Sequence, residues 1–469
     1  MTDYISSIDQ DSLNSLCEEI GKYNKINPAY FDRFQVKRGL RNSDGTGVMA
    51  GLTKICNVQG YYVSDGERVP IDGRLIYRGI DVREIISGCE QEGRFGFEEV
   101  VWLLLFGTLP SKRHLEIFKN VLAESRELPN EFIEDMIMKA PSHNIMNKLS
   151  RSVLALYSYD ENPDDISVEN VLRQSIQLLA QVPMIMSYAY QVKRRNFYHE
   201  SMYLHPVDKT LSTAESVLYS IRADKKFTPE EAHMLDICLM LHAEHGGGNN
   251  STFATRVLTS SGTDTYSAIS AGIGSLKGPK HGGANIKVAE MVEYIKQGVE
   301  DITDADQVAD FLKKILRKEA GDGSGLIYGH AVYTLSDPRA VILKEHARKF
   351  AENTEFEDEF KLLELIETLT PNILEELRGD KKVMCANVDL YSGLVYKLLG
   401  IPEDLFTPLF TVARVAGWSA HRMEELMTGG KIIRPAYKSV CAQRKYVKLD
   451  ERLDSYPGEL KYIPSDERA

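Results

Sequence analysis

Past residue 78 the chain offers no convincing run of alternating apolar and polar residues, and its apolar positions recur at helical spacing almost to the end. Such a pattern commits the fold to helix packed on helix. The exception is 54–78, where Val58, Tyr61, Tyr62 and Val63, then Leu75, Ile76 and Tyr77, are set off by Asp65-Gly66 and Asp72-Gly73. These read as strands joined by tight turns, a small β-hairpin near the N-terminus. The stretch 97–106 is apolar nearly all round, which predicts a helix buried on every side. At 469 residues the chain exceeds the size at which single cores stop growing, so two domains are expected.

The later helices carry legible punctuation. Thr228-Pro229 reads as the cap and first residue of a helix through Met234, Leu235, Cys238 and Leu241, stopped by the glycine triplet that begins at Gly246. Asp264 or Thr265 opens a helix rich in small residues: Ala268, Ser270, Ala271, Gly272, Gly274 and Ser275. Small residues let a second helix come close, either from another subunit or from the same chain. Residues 1–45 read as a polar helical extension, and 445–469 as a polar tail over the surface.

Composition narrows the classes of function. Hydrophobic content of 43% and charge of 26% are those of a soluble globular protein. A net charge of −12 argues against a nucleic-acid partner, though a small pocket lined by arginines still suits an anion. The longest apolar runs, such as Val100 to Phe106, are too short to span a bilayer, so no membrane is expected. The N-terminus is polar and acidic, unlike a secretory or transit leader. Six scattered cysteines with no Cys-x-x-Cys pair read as reduced thiols. The expected location is cytoplasmic.

Three histidines lie against glycine: His245 before Gly246, His281 before Gly282, and His330 after Gly329. Glycine admits close approach of backbone to a ligand, and neutral imidazole both donates and accepts. His242 and His245 are three apart, a spacing that suits a metal, but no cysteine or carboxylate cluster completes a ligand set. No metal is expected; one of the pair would touch substrate and the other pack. His281 precedes a helix that Asn285 can cap, and a helix N-terminus favours neutral imidazole there. Asp337-Pro338-Arg339 opens a helix, where an arginine in the first turn is misplaced unless an anion sits beside it. Arg414 interrupts an apolar face formed by Phe410, Thr411, Gly417 and Trp418, which suggests a second carboxylate-binding cation. Arg434, before Pro435, is weaker on its own. Asp389 heads an apolar helix, either as a plain cap or as a general base of raised basicity.

In order, the series runs Leu241-His242-Ala243-Glu244-His245, Gly278-Pro279-Lys280-His281-Gly282-Gly283-Ala284-Asn285, and Tyr328-Gly329-His330-Ala331-Val332-Tyr333. It continues with Asp337-Pro338-Arg339, Asn387-Val388-Asp389-Leu390-Tyr391-Ser392-Gly393, and Ala413-Arg414-Val415-Ala416-Gly417-Trp418. This ordered series resembles the citrate synthases over 47–437. The resemblance implies an all-α, two-domain homodimer, with a helical extension at 1–46. It implies a large helical domain from 47–284 and 397–469, and a small one from 285–396 that closes over the site. It implies that acetyl-CoA and oxaloacetate condense with water to citrate and CoA, with no cofactor. His281, His330 and Asp389 would be catalytic: His281 steadies the enol, Asp389 takes the methyl proton and His330 polarises the keto group. His245, Arg339, Arg414 and Arg434 would hold oxaloacetate, Arg434 from the partner subunit. Ser324, Gly325, Leu326, Ile327, Tyr328 and Gly329 would line the CoA pocket. Within the family, a 2-methylcitrate synthase acting on propionyl-CoA is the alternative. Outside it, the rivals are a metal-dependent hydrolase built on the histidines and a catalytically dead helical interaction protein. The chain departs from the family's pattern at the glycine triplet after His245 and at Thr334, where many relatives carry a basic residue. Its helical N-terminus is also unlike the β-rich start of some hexameric members.

Overall fold

The computed structural model describes residues 9–42, 45–65, 67–323, 328–329, 332–378, 384–441 and 445–452. About 59% of the described residues are helical, and their sheet has three strands, so the fold is all-α. The backbone divides into two compact units, 1–49 with 434–469, and 50–433.

In the first unit Asp9 caps the helix Gln10–Tyr23 by accepting the Ser12 N–H. The two chain segments of this unit meet where the Lys438 ammonium stands 5.7 Å from the centre of the Phe34 ring.

The second unit begins with the antiparallel strands Cys56–Ser64 and Glu67–Tyr77. Asp65 takes the left-handed conformation of a tight turn, while residue 66 lies outside the described residues. Asp72-Gly73 is not a turn: the second strand runs straight through it. Glycine stands there because the backbone at Ser336 comes so close that a Cβ would sit 2.1 Å from the Ser336 carbonyl oxygen. Gly73 donates its N–H to that oxygen, and the Ser336 hydroxyl donates to Asp72 Oδ1. The hairpin is thus a clamp on the segment that leads to Asp337.

The apolar helix Phe97–Phe106 is buried at seven of its ten positions rather than on every side: Glu99 and Trp102 are half-buried and Phe106, at the end, is exposed. It starts at Gly96, which has no side chain to cap it, and Asp236 from a distant helix accepts the Gly96 and Phe97 N–H groups instead. The Arg78 guanidinium and the left-handed Gly107 close its other end.

At the centre of the unit lies the 22-residue helix Phe406–Met427, buried through eighteen consecutive positions from Phe406 to Met423. It packs on helices Val168–Lys193, Pro229–His242, Asn250–Thr259 and Thr265–Leu276. A second group, helices Ala284–Gly298, Ala305–Leu316, Pro338–Ala351, Glu357–Arg378 and Asp389–Leu398, packs chiefly on itself.

In the small-residue helix, Asp264 is the cap, and Gly272 faces inward: a Cβ there would meet Thr255 Oγ1 at 2.8 Å and the Trp418 ring at 3.1 Å. That part of the stripe serves packing within the chain, whereas Gly274 is open.

Candidate active site

Tyr77, at the end of its strand, sends its hydroxyl to the frayed end of helix Pro229–His242, within 3.1 Å of the Met240 and Glu244 carbonyl oxygens. The helix ends at His242, so His242 and His245 do not share a helical face. The His242 ring is buried and stacked on Phe410 at 3.7 Å, a packed core histidine. The His245 ring instead meets Tyr333 edge-on at 5.6 Å. Among the described residues no group of three His, Cys, Asp or Glu is arranged to hold a metal ion.

His281 lies in the glycine-proline turn before helix Ala284–Gly298. Gly283, not Asn285, is the cap position; Asn285 is the second helical residue and turns its oxygen to the Ile286 N–H and the Thr407 hydroxyl. Asn285 therefore holds the helix against the Thr407 turn. His281 Nε2 faces Ser251, with the hydroxyl oxygen at 3.0 Å and the backbone N–H donating at 3.4 Å. A ring nitrogen that accepts from a backbone N–H carries no proton, so the proton is on Nδ1. Trp418 Nε1 donates to the same Ser251 oxygen and fixes it. Burial, seconded by Arg414, lowers the His281 pKa to about 4, so the ring is a neutral donor throughout the physiological range.

Arg339 is buried, and the anion it needs is supplied by its own helix cap. Asp337 accepts the Arg339 backbone N–H and grips the guanidinium through Nε at 3.0 Å and Nη2 at 2.7 Å. The charge in that first helical turn therefore does not by itself require a substrate, although Nη1 takes no part in the fork. Arg414 is different. Its Nε donates to the His242 carbonyl at 2.7 Å, its Nη1 is buried without a hydrogen-bond partner, and no carboxylate among the described residues pairs with it. An unpaired buried cation is costly, so this arginine is poised for an anion from outside the chain.

Asp389 is the first residue of helix Asp389–Leu398 and caps nothing: Val388 holds the cap position, and the Asp389 backbone N–H goes to Asn387 Oδ1. Its carboxylate is consequently free of local duty. Burial raises its pKa to about 7, against the pull of Arg339 and Arg414. The Asn387 amide also donates to the Gly329 carbonyl, which ties the Asp389 helix to the residue before His330.

His330 itself, with Ser324, Gly325, Leu326 and Ile327, lies outside the described residues. Tyr328 reaches the Glu367 carbonyl through its hydroxyl, and Gly329 takes a φ of +101°. Arg434 is exposed and belongs to the first unit. The structure thus brings His281, Arg414, Arg339 and Asp389 into one electrostatic neighbourhood, with His245 beside it through Tyr333. Ser251 escaped the sequence reading, and Tyr77 and Trp418 entered it only as a strand residue and as part of an apolar face, because such residues carry no mark of their contacts.

A carboxylate with its pKa near neutrality, a pinned neutral histidine and two buried arginines are groups that can do acid–base chemistry on a small anion. Residues 42–436 match the family described as citrate synthase, C-terminal domain. A citrate synthase from Synechocystis sp. is 33% identical over 411 residues, covering 87% of this chain and 93% of its own. A 2-methylcitrate synthase from Corynebacterium glutamicum is 31% identical over 421 residues, covering 89% and 99%. The solved structure of a Thermoplasma acidophilum citrate synthase, in ternary complex with carboxymethyl coenzyme A and oxaloacetate, superposes with a TM-score of 0.72. It is 26% identical and covers 89% of this chain and 99% of that one. The chain belongs to the citrate synthase family.

Proposed function

We propose that this enzyme condenses acetyl-CoA with oxaloacetate and water, releasing citrate and CoA. The observation that carries the reading is the pairing of Asp389, a carboxylate spared from capping and poised near pH 7, with a His281 held neutral with its proton on Nδ1. A thioester methyl group is a very weak acid, so a carboxylate base needs a partner that stabilises the enol oxygen as the proton leaves. A positioned donor of this kind is worth about 3–4 kcal/mol. Asp389 takes the methyl proton while His281 Nδ1–H donates to the thioester oxygen. The enol carbon then attacks the oxaloacetate keto carbon, which His330 polarises, and water cleaves the citryl thioester.

Arg414 and Arg339 hold the oxaloacetate carboxylates, with His245 beside them and Arg434 contributed by the partner subunit of a homodimer. Residues 324–329 line the CoA pocket, and no metal or cofactor takes part. The helices of 285–396 form the small domain, which closes on a large domain of 47–284 and 397–469 and excludes water until the carbon–carbon bond exists. Among the described residues no helix is long and apolar enough to cross a membrane, and we place the enzyme in the cytoplasm.

Propionyl-CoA is the alternative substrate, because the 2-methylcitrate synthase relative, at 31% identity, lies nearly as close as the citrate synthase at 33%. One methylene changes discrimination by only about 1–3 kcal/mol. Thiol release measured with oxaloacetate against each acyl-CoA decides between them. Acetyl-CoA is expected to give the higher kcat/KM.

A further inference from the structure

Beneath the His245 turn runs a buried polar chain that the proposed chemistry leaves unused. Arg256, on helix Asn250–Thr259, donates through Nε and Nη2 to His421 Nδ1, at 3.0 and 2.7 Å. It is held from behind by Glu424 and Glu425. Because His421 Nδ1 accepts, its proton sits on Nε2 and donates to Glu244 Oε1 at 3.1 Å. The same Oε1 accepts the Gly246 N–H at 2.5 Å. Glu244 and His421 are both fully buried.

The other carboxylate oxygen, Glu244 Oε2, is buried with no hydrogen-bond partner, and so is Arg414 Nη1. The segments carrying these two orphans are locked together. Arg414 Nε donates to His242, and Gly417, one turn on from Arg414, donates to the Ala243 carbonyl at 3.1 Å. A Cβ at Gly417 would stand 2.0 Å from Glu244 Oε2, so only glycine admits the carboxylate here. Yet Glu244 and Arg414 do not form an ion pair: they stand farther apart than 4.0 Å.

We propose that Glu244 is the resident counter-ion of Arg414, aimed by the positioning residues His421 and Arg256, and that it offsets the arginine's charge without occupying the Nη1 that an incoming carboxylate takes. The inference rests on the reading of Arg414 as an oxaloacetate ligand. A contact ion pair would have to be broken by substrate, whereas a counter-charge held just out of contact stabilises the empty site and leaves the binding edge open. Glu244 is also the foremost charge sustaining ionisation of Arg414 against burial and the neighbouring Arg339. The cost of this arrangement is weaker substrate binding, since a dianion must enter the field of a carboxylate.

The test is Glu244→Gln, which keeps an oxygen for the Gly246 N–H and removes only the charge. Oxaloacetate binding is followed by calorimetry and thermal shift on the full-length enzyme. The expected result is a lower Tm without ligand, an oxaloacetate Kd reduced by about threefold or more, and a larger Tm rise at saturating oxaloacetate. The acyl-CoA KM stays within about twofold, while the oxaloacetate KM falls. In an Arg414→Leu background the same substitution must cost no stability and change no affinity, since the pair would then be absent. Unchanged or weaker oxaloacetate binding by Glu244→Gln, with wild type binding normally, overturns the inference alone. Failure of wild type to bind oxaloacetate overturns it together with the proposed function. If Glu244→Gln does not fold, a folded Glu244→Gln/Arg414→Leu double variant supports the counter-ion role, and a double variant that also fails to fold refutes it.

Discussion

Asp337 caps the helix that Arg339 enters and grips the Arg339 guanidinium with both oxygens, so the two form a closed, buried pair before any substrate arrives. Arg414, at comparable burial, has no such partner. The two arginines should therefore answer the same substitution differently. Arg339→Leu strands Asp337 in the interior and should cost the unliganded protein about 3–5 kcal/mol in denaturant unfolding. Arg414→Leu, which takes the counter-charge from buried Glu244 but breaks no contact ion pair, should cost less. Both should raise the oxaloacetate Kd by about ten- to a hundredfold, the value of a charge-assisted hydrogen bond. Calorimetry showing oxaloacetate affinity unchanged in both would remove the carboxylate clamp.

Asp389 must be ionised to act as a base, and its pKa lies at about 7. The acidic limb of the pH profile of kcat/KM for the acyl-CoA should therefore bend near pH 7 and fall tenfold per unit below it. Arg414 helps to hold that pKa down, so Arg414→Leu should shift the bend to higher pH. A limb near pH 4 would mean that another group sets the profile.

The same carboxyl links stability to pH. Its folded pKa of about 7 exceeds the ordinary 3.8, so between these values the folded protein binds the proton that the unfolded chain has released. Asp389 thus weighs progressively against folding as pH rises from about 4, with the penalty complete above pH 7. Asp389→Asn, which never ionises, should gain in Tm relative to wild type as buffer pH is taken from 5 to 8. A difference in Tm that does not vary with pH would mean that folding does not raise the Asp389 pKa.

Ser251 keeps the His281 proton on Nδ1 and is itself braced by Trp418. Ser251→Ala keeps the backbone N–H but removes the hydroxyl oxygen 3.0 Å from Nε2. It should therefore loosen the position of the ring rather than change its tautomer, and lower kcat by about tenfold while leaving oxaloacetate affinity and global stability near wild type. Loss of binding or of fold instead would make Ser251 a packing residue.

Much of this was legible in the chain. Thr228-Pro229, Asp264 and Asp337-Pro338 cap their helices as read, because capping depends on a few adjacent residues. The errors share a cause: contacts between distant segments. Gly73 looked like a turn because the approach of Ser336 was invisible from 263 residues away. Asp389 is different: the chain left it open between cap and base, and the local hydrogen bond from its N–H to Asn387 shows that it is not the cap. The chain from Arg256 to Glu244 joins three segments whose residues, taken singly, read as surface charge or a packed histidine.

The most direct test of the proposed function is steady-state CoA release by wild type and Asp389→Asn, with and without oxaloacetate. The account predicts release that depends on oxaloacetate and is faster with acetyl-CoA than with propionyl-CoA. In Asp389→Asn, turnover should fall by about a hundredfold or more with the oxaloacetate Kd unchanged. Near-native turnover in the variant, or thiol release that proceeds equally without oxaloacetate, would contradict it.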